Sequence, residues 1–157
     1  MRTQSNCILQ VLVISTIMSR TSEACRSNCP INFVLETFGD KWTLLIVRDL
    51  MFHNKRTFLS FMESDEKISS NILTERLRRL EDHGIVQKTT SPSNRSSFIY
   101  SLTAKGADLL PVMLEVTAWS AKHDSATNTP DSFLSAFGAD RDGVIASFQS
   151  ELNVVTK

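Results

Sequence analysis

The stretch Ile68 to Lys88 reads ISSNILTERLRRLEDHGIVQK, and the rest of the chain is placed around it. Leu73, Leu77 and Leu80 recur at i, i+4 and i+7, one apolar stripe along a helix of period 3.6. Ser69 and Ser70 stand just upstream as N-cap candidates, and Gly84 comes after as the residue that ends the helix. Ile85 and Val86 then open a short β-branched run, so helix hands over to strand. On the face opposite the leucines lie Asn71, Glu75 and Arg78, flanked by Thr74 and Arg79. A solvated helix face has the same composition, so the helix alone decides nothing.

The residues on either side of the helix decide more. Ile85 to Thr90 reads as an outgoing strand, Ser91 to Ser97 (SPSNRSS) as a polar turn, and Phe98 to Leu102 as the return strand, with Thr103 capping another helix. Upstream, Thr57 caps a short helix over Phe58 to Glu63, and Ser64 to Lys67 forms the turn into Ile68. Two helices with a tight polar turn between them make a helix-turn-helix. With a hairpin behind them, they give the order of a winged helix-turn-helix, whose second helix enters the DNA major groove while the hairpin flanks it.

Several separate motifs then carry a family resemblance. Cys29-Pro30, Gly39-Asp40-Lys41-Trp42, Leu73-Thr74-Glu75-Arg76-Leu77-Arg78-Arg79-Leu80-Glu81, Gly84-Ile85-Val86 and Tyr100-Ser101-Leu102-Thr103 occur in order, and together they resemble the HxlR-type bacterial transcription regulators, winged-helix proteins related to the MarR group. The resemblance covers roughly residues 29 to 124, and ordered motifs are far more specific than any one alone. The hairpin tip departs from the usual family tip. It is rich in serine, lacks the acidic residue before the tyrosine, and holds one cation, Arg95.

Composition is compatible with this reading. A chain of 157 residues with 41% apolar residues and nine phenylalanines buries a real core and is not disordered. Its net charge is zero, but residues 41 to 95 carry ten Lys and Arg against seven Asp and Glu, and residues 96 to 157 carry four against seven. A modestly positive centre with an acidic tail fits DNA binding at the centre. No nucleophile with its base and no phosphate-binding glycine loop is present, and His53, His83 and His123 are scattered without metal-ligand spacing. Neither an enzyme, a metal site nor a cofactor is read from the sequence.

Elsewhere, Pro30 opens a helix ended by Gly39, with Phe33, Val34 and Phe38 on its apolar face. Asp40 caps the next, in which Trp42, Leu45, Ile46 and Leu50 fall at core spacing. Asn54 to Thr57 reads as a turn or a short first strand. The helix after Thr103 runs to about His123, and Pro111 inside it predicts a break near Asp108. Its apolar residues lie on more than one face, which points to a homodimer. Beyond a linker at Ser125 to Pro130, two further short helices are expected, extending the dimer interface or covering an effector pocket.

The N-terminus divides the readings. Cys7 to Met18 (CILQVLVISTIM) behind Arg2 has the shape of a short signal peptide and is too short for a comfortable membrane span, for which about 20 apolar residues are needed. An exported protein has no chromosomal DNA to bind, so the adopted reading takes Met18 as the natural start or residues before it as a loosely attached segment. A dimer-packing helix is the alternative.

The expectation is therefore a mainly α winged helix-turn-helix with a small β-hairpin wing and a C-terminal helical extension. It divides as residues 1–24, a DNA-binding and dimerisation domain at 25–124, and the extension at 125–157. As a cytoplasmic homodimer without stable membrane association it would bind a pseudo-palindromic operator in double-stranded DNA. Asn71, Thr74, Glu75 and Arg78 would read bases, while Ser69, Ser70, Arg79, Lys88 and Arg95 would position the backbone. Glu75 has a second role open to it, orienting Arg78 or Arg79. The competing readings are a winged-helix module for protein contacts and a small exported helical protein. The resemblance further implies response to an oxidant or small-molecule effector, because some family members sense oxidants through a cysteine at the position of Cys29. A cysteine at a helix start favours the thiolate, and Cys25 would serve as the resolving thiol. Against this stands a small residue whose thiol does nothing.

Overall fold

The computed structural model describes residues 26–152. The apolar run from Cys7 to Met18 and the thiol of Cys25 lie outside them. In chain order the elements are α1 (Pro30–Phe38), α2 (Thr43–Phe52), α3 (Phe58–Met62), α4 (Ser70–Asp82), β1 (Val86–Thr90), β2 (Phe98–Leu102), α5 (Ala104–Ala107), α6 (Leu110–His123), α7 (Asp131–Ala139) and α8 (Arg141–Glu151).

The core forms where the apolar stripes converge. Ile46, Val47 and Leu50 of α2, Phe61 of α3 and the three leucines of α4 are buried together with Ile85, Val86, Tyr100, Leu102 and Met113. Each such side chain withdrawn from water contributes about 1.5–3 kcal/mol. Trp42 and Leu45 stay half-buried at the rim. Thr43 and Val47 share the inner face with Ile46 and Leu50 instead, so the core stripe of α2 is turned from the expected one. Asp40 opens that helix as expected: its Oδ1 accepts from the Trp42 and Thr43 amides at 2.8 and 3.0 Å.

The helix-turn-helix is α3 and α4. Thr57 and Ser60 form a reciprocal capping box at the start of α3, and Ser69 Oγ accepts from the Ile72 amide at the start of α4. At the far end of α4, Gly84 adopts a left-handed φ of +66°. The Gly84 amide donates to the Glu81 carbonyl and the Ile85 amide to the Leu80 carbonyl, both at 2.9 Å. This is a Schellman ending, with Leu80 and Ile85 both buried in the same core cluster.

The wing is an antiparallel hairpin in which Val86 faces Leu102 and Thr90 faces Phe98. Its sheet has two strands, so the short first strand expected at Asn54 to Thr57 is not formed there. Asn54 turns left-handed at φ +50° and Thr57 is already the cap of α3, which leaves no room for an extended run. A single bond survives, from the Tyr100 amide to the Arg56 carbonyl at 2.8 Å.

Behind the wing, the helix expected after Thr103 is broken into α5 and α6 near Asp108, as Pro111 predicts. The Thr103 hydroxyl donates to the Gly84 carbonyl at 2.6 Å and accepts from the Gly106 amide at 3.1 Å. Lys105 Nζ donates to the His83 carbonyl at 2.7 Å. Gly106 packs so tightly that a Cβ would lie 2.2 Å from the Ile85 carbonyl oxygen, so no larger residue fits. Leu110 and Leu114 of α6 form a second apolar cluster with Phe137 of α7 and Ile145 of α8. The opposite side of α6 leaves Val112, Val116 and Trp119 exposed, as α1 leaves Ile31, Val34 and Leu35.

Candidate nucleic-acid interface

With its leucines buried, α4 turns Asn71, Thr74 and Arg78 outward, all exposed. Ser69 and Ser70 are exposed at its N-terminal end, where the first amide groups of a helix favour an anion. Not every side chain on this face is free. The Thr74 hydroxyl donates back to the Ser70 carbonyl at 2.8 Å. Arg78 Nη1 pairs with Asp82 Oδ2 at 2.8 Å, one turn along.

Glu75 is half-buried, and its partner is Arg76, at 2.6 Å, rather than Arg78 or Arg79. The i to i+1 contact wins because Arg76 is drawn toward Asp40 at the start of α2. Arg76 Nε lies 3.2 Å from Asp40 Oδ1, close enough for charge pairing but not aligned as a hydrogen bond. Burial works against the Asp40 carboxylate. Hydrogen bonds from the Thr43 hydroxyl and from the Trp42 and Thr43 amides, with the Arg76 charge, outweigh it and hold the pKa below the usual carboxylate value. Glu75, Arg76 and Asp40 thus strut α4 against α2. Arg79 is half-buried on the flank of the same helix.

On the wing, Lys88 is exposed and its Nζ lies 4.0 Å from the centroid of the Phe98 ring, a cation–π contact that holds the ammonium beside the sheet. The tip is organised by Asn94. Its carbonyl accepts from the Ser97 amide and hydroxyl, and its Oδ1 accepts from the Ser96 amide at 2.9 Å. Arg95 is exposed within this turn. Cys29 belongs to a different region: it is the exposed, free thiol preceding α1, and its side chain caps nothing.

Sequence reasoning missed a buried polar knot behind the helix-turn-helix. The Asp49 side chain is 3% exposed and accepts from Arg48 Nη2 at 2.8 Å and from the Ser64 hydroxyl. Lys55 Nζ lies 3.2 Å from its Oδ2, and His53 Nδ1 lies 3.0 Å from its Oδ1. Arg48 continues to Glu66 at 2.5 Å, so α2 grips both ends of the turn before α4. Burial disfavours the Asp49 anion. The hydrogen bonds from Ser64, Arg48 and Lys55 and the Arg48 charge overcome that and keep it below the usual range. The Arg48 hydrogen bond lowers Glu66 likewise, and Arg48 itself is pushed up, chiefly by Glu66. The available signal was an aspartate inside an apolar helix with a histidine four residues on and basic neighbours.

The family profile described as HxlR-like helix-turn-helix matches residues 37–128. The chain belongs to the HxlR-like family. It therefore carries a winged helix-turn-helix of the transcription-regulator kind, and α7 and α8 lie beyond the matched region. Among curated relatives, the HTH-type transcriptional regulator sll1512 of Synechocystis is 36% identical over 86 residues, 55% of this chain. The match spans 63% of that relative's length. The transcriptional regulator YodB of Bacillus subtilis is 37% identical over 93 residues, 59% of this chain and 82% of YodB. Among solved structures, the redox regulator HypR in its oxidised form superposes with a TM-score of 0.53 at 32% identity, over 60% of this chain and 96% of HypR. Reduced YodB gives 0.50 at 33% identity, over 60% and 92%. Among the described residues, no helix of this HxlR-like protein is long and apolar enough to cross a membrane.

Proposed function

We propose that this HxlR-like protein is a cytoplasmic, sequence-specific transcription regulator that binds a pseudo-palindromic operator as a homodimer. The observation that carries the reading is the outward face of α4, with Asn71, Thr74 and Arg78 exposed and cations at Lys88 and Arg95 on the adjoining wing. Asn71 suits adenine and Arg78 suits guanine in the major groove. Ser69, Ser70 and Arg79 position α4 on the phosphates, as Lys88 and Arg95 position the wing. Glu75, engaged by Arg76, acts on α4 itself more than on cytosine. Residues 25–124 form the DNA-binding and dimerisation unit, and residues 125–157 are appended to it.

Support for the dimer comes from the apolar side chains left uncovered on α1 and α6. A pair joined there places its recognition helices about 34–36 Å apart, one DNA turn. The test is binding to the protein's own promoter region. Arg78→Ala is expected to lose about 1–3 kcal/mol against the preferred base and to relax selectivity there. Unchanged affinity and selectivity in that variant refute the orientation of α4.

A second reading concerns regulation. The exposed thiol of Cys29 adjoins the uncovered face of α1, and a structural relative, HypR, is a redox regulator. In this reading oxidation of Cys29 links subunits near the dimer axis and changes the spacing of the two recognition helices.

A further inference from the structure

The turn between α2 and α3 holds two adjacent cations that the fold treats in opposite ways. Lys55 is neutralised internally, donating to Ser64 Oγ at 2.6 Å beside the Asp49 carboxylate. Arg56 is half-buried, and among the described residues no carboxylate pairs with it. Its Nε donates to a neutral acceptor, Asn54 Oδ1, at 3.1 Å. Its Nη1 is buried and has no hydrogen-bond partner. Arg48 and Arg76, also half-buried, each hold a carboxylate.

A guanidinium drawn out of water without a counter-charge is destabilising. Burial alone pushes the Arg56 pKa down. The position of Arg56 shows what would relieve this. The next residue, Thr57, caps the first helix of the helix-turn-helix, and the Arg56 carbonyl accepts the Tyr100 amide of β2 at 2.8 Å. Arg56 therefore stands where the two DNA-facing parts of the fold are joined. Its planar fork matches a phosphate, and a charge-assisted bond is strongest from a donor already desolvated.

We propose that Arg56 is a phosphate clamp: it takes a backbone phosphate of duplex DNA at the junction of helix-turn-helix and wing, and so sets the pose of both. Asn54, held left-handed at φ +50°, fixes the guanidinium by its Nε, and with Nη1 covered by the protein the phosphate is met at Nη2. The inference rests on the DNA-binding reading above and adds a residue that the sequence did not single out. Arg56 is a positioning residue, reading no base.

The test is a salt titration of binding to two duplexes, the protein's own promoter region and a random sequence, with wild type, Arg56→Gln and Arg56→Lys. Each phosphate contact contributes about −0.9 to the slope of log affinity against log salt. Arg56→Gln is expected to flatten that slope by about one unit and to weaken both duplexes by the same factor. Its thermal midpoint should equal or exceed that of wild type, because the uncompensated charge is gone. Arg56→Lys keeps the slope but binds both duplexes several-fold more weakly, a point charge replacing a fork.

An unchanged slope in folded Arg56→Gln overturns the proposal and leaves a packing residue whose Nη1 is served by water. So does a loss confined to the promoter duplex. If Arg56→Gln does not fold, Arg56→Lys decides: wild-type affinity on both duplexes refutes the clamp, and a uniform loss supports it. Wild-type protein that binds neither duplex removes the DNA-binding reading and this inference with it.

Discussion

Replacing Asp49 by Asn keeps the size of the side chain and removes the charge around which α2 and the turn before α4 are tied. Breaking a buried pair from one side costs about 3–5 kcal/mol. Arg48 and Lys55 are 27% and 21% exposed at the side chain, so water takes up part of the freed charge, and Arg48 retains Glu66. The loss expected is therefore smaller, about 2–3 kcal/mol, or roughly 5–10 °C in the thermal midpoint of a chain this size. Urea and thermal unfolding at neutral pH measure it. The pH dependence gives a separate check. The folded pKa of Asp49 lies below its unfolded value, so its contribution is complete above about pH 4 and fades as pH falls through the lower folded value. The gap between wild type and Asp49→Asn should thus be flat at neutral pH and close in acid. A loss under about 0.5 kcal/mol, the size of an ordinary surface substitution, or a gap that widens in acid, refutes the account of the knot.

Three further outcomes are expected. Asp82→Asn frees Arg78 and removes an anion from the DNA-facing helix, so DNA binding should tighten roughly two- to fivefold, read by fluorescence anisotropy; weaker binding contradicts the role given to Arg78. Val116→Asp, on the uncovered side of α6, should yield monomers by sedimentation while leaving the far-ultraviolet spectrum intact. Under diamide, wild type should form a cross-linked dimer on non-reducing gels and change its operator affinity, and Cys29→Ser should do neither; identical behaviour removes Cys29 as a sensor.

Much of the architecture was legible because it is local. The leucines of α4, the serine before it, the glycine after it and the proline in α6 each act within a few residues. The fold inherits their signals unchanged. Trp42 shows where such reading falls short: it lies at core spacing but packs only at the edge of the core, because the core face of α2 turns on Thr43 and Val47, set by the packing of distant elements. Of the two readings at Asn54 to Thr57 the turn holds and the short strand does not, since pairing with Tyr100 reduces to one bond once Thr57 is committed to α3. At the candidate interface, spacing placed Asn71, Thr74 and Arg78 on the outer face. The i,i+4 spacing of Arg78 and Asp82 was itself a signal for their pairing, whereas the capture of Glu75 by Arg76 depends on Asp40 of another element drawing Arg76 aside. Asp49 left a local trace in Arg48 and His53, but its bonds to Ser64 and Lys55, and the missing counter-charge of Arg56, depend on residues brought together by the tertiary fold.

The joint at Gly106 limits how the molecule can move. The exit of α4, the root of the wing and the first turn of α5 are locked by Thr103, Lys105 and a backbone contact with no slack. Recognition helix and wing are therefore tied together at one joint, just ahead of the helix break near Asp108. In the proposed dimer, a signal arriving through α6 would meet this joint before it reached the wing, and would change the distance between the two recognition helices rather than the angle of wing to helix. Effector response in this protein would then appear as a changed tolerance for the number of base pairs separating half-sites, with the preferred bases inside each half-site left as they were.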